Sequence, residues 1–153
     1  MEFNRGNVDG ELFRLTLIEE RYTTDFVRSS TALILLTNSL FTRPDIDAFD
    51  TRHPIGFQSG VAWQEDFVKG KPSLLFYTAN QMFKAYANKK LDVFLAAPFE
   101  VRQYNDIYPL SPLPIEAEVI SKLPLYHYLS SDFAPFMEKL DAYLSSNQPF
   151  RDF

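Results

Sequence analysis

The stretch HPIGFQSGVAWQEDFVKGKPSLLFYT, residues 53–78, indicates the class of fold. In its first half, side chains recur three and four positions apart, as on one face of a helix; they are Phe57, Val61, Gln64 and Val68. Gly70 follows where a glycine would end that helix. The second half, PSLLFYT at 72–78, is short and apolar, and this pattern predicts a buried strand.

The segments on either side continue an alternation of strands and helices. The apolar run TALILLTN at 31–38 predicts a strand that is buried on both faces. After residue 78 the sequence predicts a helix at 79–90 and a third apolar strand at 91–99. This order, with short connections, is typical of an α/β domain. We therefore expect a three-layer α/β fold with a mostly parallel, flavodoxin-like (doubly wound) sheet, in a single domain over residues 1–153.

The two ends of the sequence give weaker patterns. Apolar positions from Leu12 to Phe26 have helical spacing, although the alternation of Phe13, Leu15 and Leu17 also fits a strand. The remaining predictions are a loop at 42–54, a short helix near 115–122 and an amphipathic helix at 130–147.

The composition excludes several classes of function. A net charge of −5 without a Lys/Arg cluster argues against binding to nucleic acid or to a membrane surface. With no Cys and only two His, a metal site is not expected, and no cofactor is indicated. The longest apolar run, ALILL at 32–36, is too short for a membrane span, and no secretion signal opens the sequence. A cytoplasmic location is therefore expected.

Candidate binding residues follow each predicted strand. Ligands of open parallel sheets bind outside the carboxyl ends of the strands, so these segments should meet at one crevice. The side chains expected there are Asp45, Asp47, Asp50, His53, Gln58, Asn80 and Met82. Taken one at a time, the aspartates are more typical of a solvated loop and Met82 of a core. The phosphate-binding pattern GxGxxG is absent, and GFQSG has Gln where a nucleophile elbow has Ser.

The order of TTDFVRSS, TALILLTN, an Asp-bearing loop, GFQSGVAW, KGKPSLLFYT and NQM resembles the nucleoside 2-deoxyribosyltransferases and their nucleotide N-glycosidase relatives. The resemblance covers roughly residues 10–90. It implies transfer or hydrolysis at an N-glycosidic bond through a covalent glycosyl-enzyme. It places Gln58 at the nucleophile position and Asp25 at the acid/base position. It also assigns substrate binding to Asp50, Asn80, Met82 and Phe57.

This sequence departs from the family pattern at two places. Gln58 stands where the family has Glu, and loss of a nucleophile costs roughly 10⁴–10⁶-fold in kcat, so little turnover is expected. The family's first strand and helix are missing before residue 10, and 91–106 resembles that strand and its loop. The sheet would then be permuted, or lack its first strand; otherwise 91–99 is an ordinary closing strand.

The resemblance also implies a partner and an assembly. The ligand would be a nucleoside or nucleotide, with the free nucleoside slightly favoured, and the sites would be shared within a homo-oligomer. Two alternatives stay open. One is a non-catalytic nucleoside- or nucleotide-binding subunit or sensor of the same fold. The other is a structural or partner-binding domain, whose aromatic residues serve an interface.

Overall fold

A computed structural model describes residues 2–147 of the chain. The chain divides into two compact units. Unit 1 comprises Met1–Leu36 and Leu123–Phe153, and unit 2 comprises Thr37–Lys122. Two strands, β3 (Ile34–Thr42) and β7 (Ile115–Ser130), each contribute residues to both units. The single domain expected over residues 1–153 stays a prediction.

Unit 1 is built on the last residues of β7. Strand β1 (Gly10–Arg14) and strand β2 (Phe26–Arg28) both pair with β7 in antiparallel orientation. A 3₁₀ helix at Thr16–Arg21 connects these two strands, and helix α4 (Ala134–Ser146) follows β7. None of the helices within residues 2–147 is long and apolar enough to cross a membrane.

An aromatic cluster fills the core of unit 1. The rings of Phe3, Tyr22, Phe26 and Tyr128 lie with centroids between 4.9 and 5.6 Å apart in tilted or edge-to-face contacts. The two tyrosine hydroxyls donate to carboxylates, Tyr22 to that of Glu11 and Tyr128 to that of Glu19. Burial of these hydroxyls is therefore compensated by charge-assisted hydrogen bonds.

Unit 2 contains a four-stranded sheet in the order β3-β6-β4-β5. Strands β4 (Ile55–Gln58), β5 (Ser73–Phe76) and β6 (Val93–Ala96) are parallel, whereas β3 is antiparallel to β6. Three helices follow the parallel strands: α1 (Ala62–Phe67), α2 (Ala79–Ala87) and α3 (Pro98–Ile107). These crossover connections are what parallel neighbours require.

Helices pack on both faces of this sheet because side chains alternate along its strands. Leu95 of β6 joins a cluster with Leu40, Ile55 and Val68, against which Trp63 and Phe67 of α1 pack. Phe94, the preceding residue, joins the opposite cluster. That cluster contains Phe41, the α2 side chains Met82, Phe83 and Tyr86, and Val101 of α3.

The α/β class and much of the element order are confirmed. The predicted strands at 72–78 and 91–99 correspond to β5 and β6, and the helix at 79–90 to α2. The terminal helix at 130–147 is α4, preceded by a short 3₁₀ turn, and the loop at 42–54 connects β3 to β4. The strand at 31–38 is present but continues to Thr42, since SLFT also packs into the sheet.

Other predictions are wrong for physical reasons. The helix near 115–122 is part of the 16-residue strand β7, where Ile115, Val119 and Ile120 favour extended backbone. The helix at 12–26 is replaced by β1, a 3₁₀ turn and β2, with Phe13 in the left-handed region at φ 56°. Phe57 and Gln58 belong to β4 rather than to a helix.

The sheet is also less parallel than expected. Among the strands within residues 2–147, parallel pairing is seen for β4, β5 and β6, while β1 and β2 pair antiparallel to β7 and β3 pairs antiparallel to β6. Segment 91–99 contains β6, which lies between β3 and β4 and leads directly into α3, and its interpretation as a displaced first strand stays a prediction. Helix α3 was not expected, although Pro98 and Glu100 are typical of a first helical turn.

Candidate functional site

The carboxyl ends of β4, β5 and β6 meet at one edge of the unit 2 sheet, which we call the carboxyl edge. Gln58 and Phe76, the last residues of β4 and β5, lie side by side in the parallel register. β6 ends at Ala96 beside Ser39 of antiparallel β3. The turns leading into α1, α2 and α3 therefore start from the same edge, as ligand-binding turns do in open α/β sheets.

The turn after β4 is held by a buried glutamine. Gln64 is 3% exposed, and its Oε1 accepts a hydrogen bond of 2.6 Å from the backbone N–H of Gln58. Its Nε2 donates to the Leu95 carbonyl at 3.4 Å. Gly60 has φ 78°, and its N–H donates to the carboxylate of Glu65. Side chains of α1 thus fix the backbone that joins β4 to the helix.

The turn after β5 is capped by Thr78. The Thr78 hydroxyl accepts a hydrogen bond from the N–H of Gln81, and the Gln81 amide oxygen accepts one from the N–H of Tyr77. Such reciprocal bonds fix the start of a helix. Tyr77 is 74% exposed and Asn80 is also exposed, so both present side chains to solvent beside this turn.

Two carboxylates lie beside the end of β6. The carboxylate of Glu100 accepts from the N–H of Ala97 at 2.8 Å, and that of Glu116 accepts from the Ser39 hydroxyl at 2.5 Å. Ser39 alternates with Leu40, so its side chain points to the same face of the sheet as Phe41 and α3. Both carboxylates therefore lie on the α3 side of β6.

Burial changes the acid–base behaviour of Glu100. Removal from water raises the pKa of its carboxyl group, and the hydrogen bond from Ala97 opposes that rise only in part. Each carboxylate uses one oxygen for its hydrogen bond to the sheet. Burial removes the water that would stabilise the charged form of the Glu100 carboxylate. A bound ammonium or guanidinium group would stabilise that charge in place of water. The sequence analysis did not select either residue. For Glu100, the available signal was its position three residues after Ala97, in the first turn of a helix.

Within unit 2, the predicted site residues lie at different places. Gln58 and Asn80 do lie at the carboxyl edge, after β4 and β5. Met82 is 1% exposed in the apolar cluster between the sheet and α2, and Phe57 packs against the cluster on the opposite, α1 face. Asp25 belongs to unit 1, where its carbonyl accepts from the N–H of Ser131.

The loop between β3 and β4 lies at the opposite edge, which we call the amino edge. Because β3 is antiparallel to β6, Thr42 pairs with Val93 at the beginning of β6, not at its end. The expected convergence of this loop with the other two is therefore wrong; its candidates are Asp45, Asp47, Asp50 and His53. The guanidinium and the backbone N–H of Arg52 both donate to the carboxylate of Asp50, and these hydrogen bonds lower its pKa to about 2.

No protein-family model matches the sequence, and no curated protein matches it. Solved structures share its fold. A probable amino-acid ABC transporter extracellular-binding protein from Bacillus subtilis superposes with a TM-score of 0.70 at 17% identity, over 95% of this chain and 67% of that chain. The periplasmic VFT2 domain of BvgS from Bordetella pertussis gives 0.62 at 13% identity, over 96% and 66%. An ancestral arginine-binding protein bound to arginine gives 0.61 at 12% identity, over 95% and 68%.

These similarities correct the functional expectations. The chain shares its fold with solute-binding proteins and spans about two thirds of their length, and the resemblance to nucleoside deoxyribosyltransferases is wrong. Three expectations came from that resemblance and are no longer supported. They are the transferase or hydrolase activity, the nucleoside or nucleotide partner, and the oligomer with shared sites. The cytoplasmic location is likewise not supported, since two of these neighbours are described as extracellular or periplasmic. Substrate binding by Gln58 and Asn80 stays a prediction, without the catalytic chemistry.

Proposed function

We propose that this protein binds a small amino-acid-like solute without transforming it, at the carboxyl edge of unit 2. The observation that carries the proposal is the pair of carboxylates, Glu100 and Glu116, beside the end of β6. They provide acceptors for the ammonium or guanidinium group of a ligand, while the exposed polar residues of the neighbouring turns face solvent at the same edge. Gln58 and Asn80 would contribute hydrogen bonds to that ligand.

The physical basis is electrostatic. Glu100 is a partly buried carboxylate, so a hydrogen-bonding cation beside it interacts in a medium of lower dielectric than water. A hydrogen bond to such a charged group contributes about 1.5–3 kcal/mol. The first turns of α2 and α3 also begin at this edge, and unpaired helix N–H groups favour the carboxylate of an amino acid. At the carboxyl edge, the ammonium group of an amino acid would thus bind the carboxylates, and its carboxylate would bind the helix N–H groups.

The neighbours supply the class of ligand and the setting. The ancestral arginine-binding protein has been seen with arginine and with glutamine, two amino acids that differ in side-chain charge. We extend this to the present chain as a solute-binding role outside the cytoplasm, as for the extracellular and periplasmic neighbours. We also propose the three-layer, doubly wound arrangement for unit 2 alone, supported by the apolar clusters on both sheet faces.

The test is a ligand screen followed by calorimetry. The protein is mixed with each of the common L-amino acids and with L-cystine, and an increase in melting temperature identifies ligands. Isothermal titration then measures the affinity for the best one. We expect one or a few amino acids with an affinity well above the rest. No stabilisation by any of them would contradict the proposal.

Matched variants locate the site. Glu116→Gln removes the charge of an exposed carboxylate at the carboxyl edge, and Glu138→Gln removes that of an exposed carboxylate on α4. We expect Glu116→Gln to weaken binding about tenfold, in line with one charged hydrogen bond, and Glu138→Gln to leave it unchanged. Equal effects of the two variants would show that net charge, rather than the carboxyl edge, governs binding.

A further inference from the structure

A cavity lies at the amino edge of unit 2, away from the carboxyl edge. It has a volume of about 420 Å³, which is within the range of small-molecule sites. Its lining is mostly apolar and includes Leu40, Phe49, Ile55 and Phe67. Because β3 is antiparallel to β6, this cavity is at the other end of the strands from Glu100.

One polar group in the cavity is held by a chain of partly buried interactions. His53 lines the cavity, and its Nδ1 lies 2.9 Å from Oδ2 of Asp92. The other oxygen of Asp92 accepts from Nε of Arg43 at 2.7 Å. Arg43 is 6% exposed, donates to the carbonyl of Tyr86 and stacks 4.2 Å over its ring. His53 is thus oriented by two residues behind it.

This chain fixes which nitrogen of His53 is available. A carboxylate is only an acceptor, so the Nδ1 atom bonded to Asp92 carries the proton. In the neutral ring, Nε2 then has a lone pair and accepts a hydrogen bond from a ligand. The lining also carries three other charged groups. Asp50 pairs with Arg52, Lys71 donates to the carbonyl of Phe67, and Glu118 is exposed.

We propose that this cavity binds a small aromatic compound with one hydrogen-bond donor, a phenol or an analogous ring, whose donor bonds Nε2 of His53. The apolar walls match the ring, and the edge of Phe49, itself 64% exposed, offers an aromatic contact at the opening. The site is independent of the proposed solute-binding function, because it shares no residue with the carboxyl edge.

Two probes test the proposal on the intact chain. 4-Fluorophenol carries the donor, whereas fluorobenzene has the same ring without it, and ¹⁹F NMR follows the binding of both. We expect 4-fluorophenol to bind with a dissociation constant on the order of 1 mM, which suits so small a ligand. Fluorobenzene should bind about five- to tenfold more weakly, the worth of one hydrogen bond. The chain has only two histidines, so ring resonances of His53 should shift while those of His127 stay constant.

Variants separate the two parts of the site. His53→Phe keeps a planar ring but removes Nε2, and it should make the two probes bind equally. Thr51→Trp, at an exposed position in the lining, should fill the opening and abolish binding of both. Lys69→Trp places the same side chain at an exposed position outside the lining and should change nothing.

Three results would overturn the inference: no binding of 4-fluorophenol to the unmodified protein, equal affinity of that protein for both probes, or binding that persists in a folded Thr51→Trp variant. Circular dichroism of each variant establishes that it has folded, so a loss of binding is assigned to the cavity.

Discussion

Replacing Glu100 by glutamine changes one charge in the first turn of α3 and preserves the shape of the side chain. The amide oxygen of the new side chain can still accept the hydrogen bond of 2.8 Å that Glu100 now receives from the N–H of Ala97. The start of the helix should therefore remain capped. What the substitution removes is a negative charge that the fold holds in a poorly hydrated place.

The effect on stability should depend on pH. Burial raises the pKa of Glu100 above its usual 4.5, so the folded chain binds this proton more tightly than the unfolded chain. Its contribution to stability is then fully present below about pH 4.5 and is lost as the pH rises through the raised pKa. At pH 7 the neutral glutamine avoids that loss. We expect Glu100→Gln to match the parent protein at pH 4 and to be the more stable at pH 7.

The effect on ligand binding should have the opposite sign. If a ligand ammonium or guanidinium group bonds Glu100, the loss of one charged hydrogen bond of about 1.5–3 kcal/mol weakens binding about 10- to 100-fold. Urea denaturation followed by circular dichroism at both pH values gives the stability, and isothermal titration gives the affinity. Glu138→Gln, on an exposed position of α4, is the control for both measurements.

A gain in stability together with a loss of affinity is the signature of a binding residue that the fold does not need. A variant that is less stable at pH 7 than the parent would refute the claim that burial of the charge opposes folding. A more stable variant with unchanged affinity would leave Glu100 a structural residue and move the ligand elsewhere.

Two further predictions concern unit 1. In Gly10→Ala, the new Cβ would lie 2.5 Å from the carbonyl oxygen of Tyr128, so β1 must move away from β7; we expect a loss of about 1–3 kcal/mol in urea denaturation, and an unchanged midpoint would contradict this close approach. Burial and the Glu19 carboxylate raise the pKa of Tyr128 from 10.0 to about 12, so stability present below pH 10 should be lost as the pH rises towards 12. Between pH 9 and pH 11, the melting temperature of Tyr128→Phe should therefore fall less than that of the parent protein. An equal fall in both proteins would show that Tyr128 is not responsible.

Local patterns were sufficient for the elements of unit 2 that follow the parallel strands. β5 and β6 each follow from a short apolar run, and α2 follows from an amphipathic run with apolar residues at helical spacing. None of these three elements needs information from a distant part of the sequence to be recognised. The errors lie where distant pairing decides. β7 carries β-branched residues that favour extended backbone, but its last residues pair with β1 and β2, a hundred or more positions away, and no local pattern carries the information for that pairing.

The expected convergence of the loops is wrong for a related reason. The loop at 42–54 follows a buried strand, and it would lie at the carboxyl edge only if that strand were parallel to its neighbours. One reversed strand, β3, moves Asp50 and His53 to the amino edge and brings Ser39 beside Ala96 instead. Strand direction cannot be read from the composition of a buried strand, since both orientations bury the same side chains.

Gln58 can now be explained without a lost catalytic group. Its backbone N–H donates to the buried Gln64, and its strand ends at a turn whose course is set by Gly60. A glycosyl-transferring enzyme needs a carboxylate at such a turn because its transition state is cationic. Under the proposed solute binding, a neutral amide at position 58 would supply both a hydrogen-bond donor and an acceptor. The strand–turn–helix order of GFQSGVAW is common to many α/β proteins, so that order is evidence for the fold and not for one chemistry.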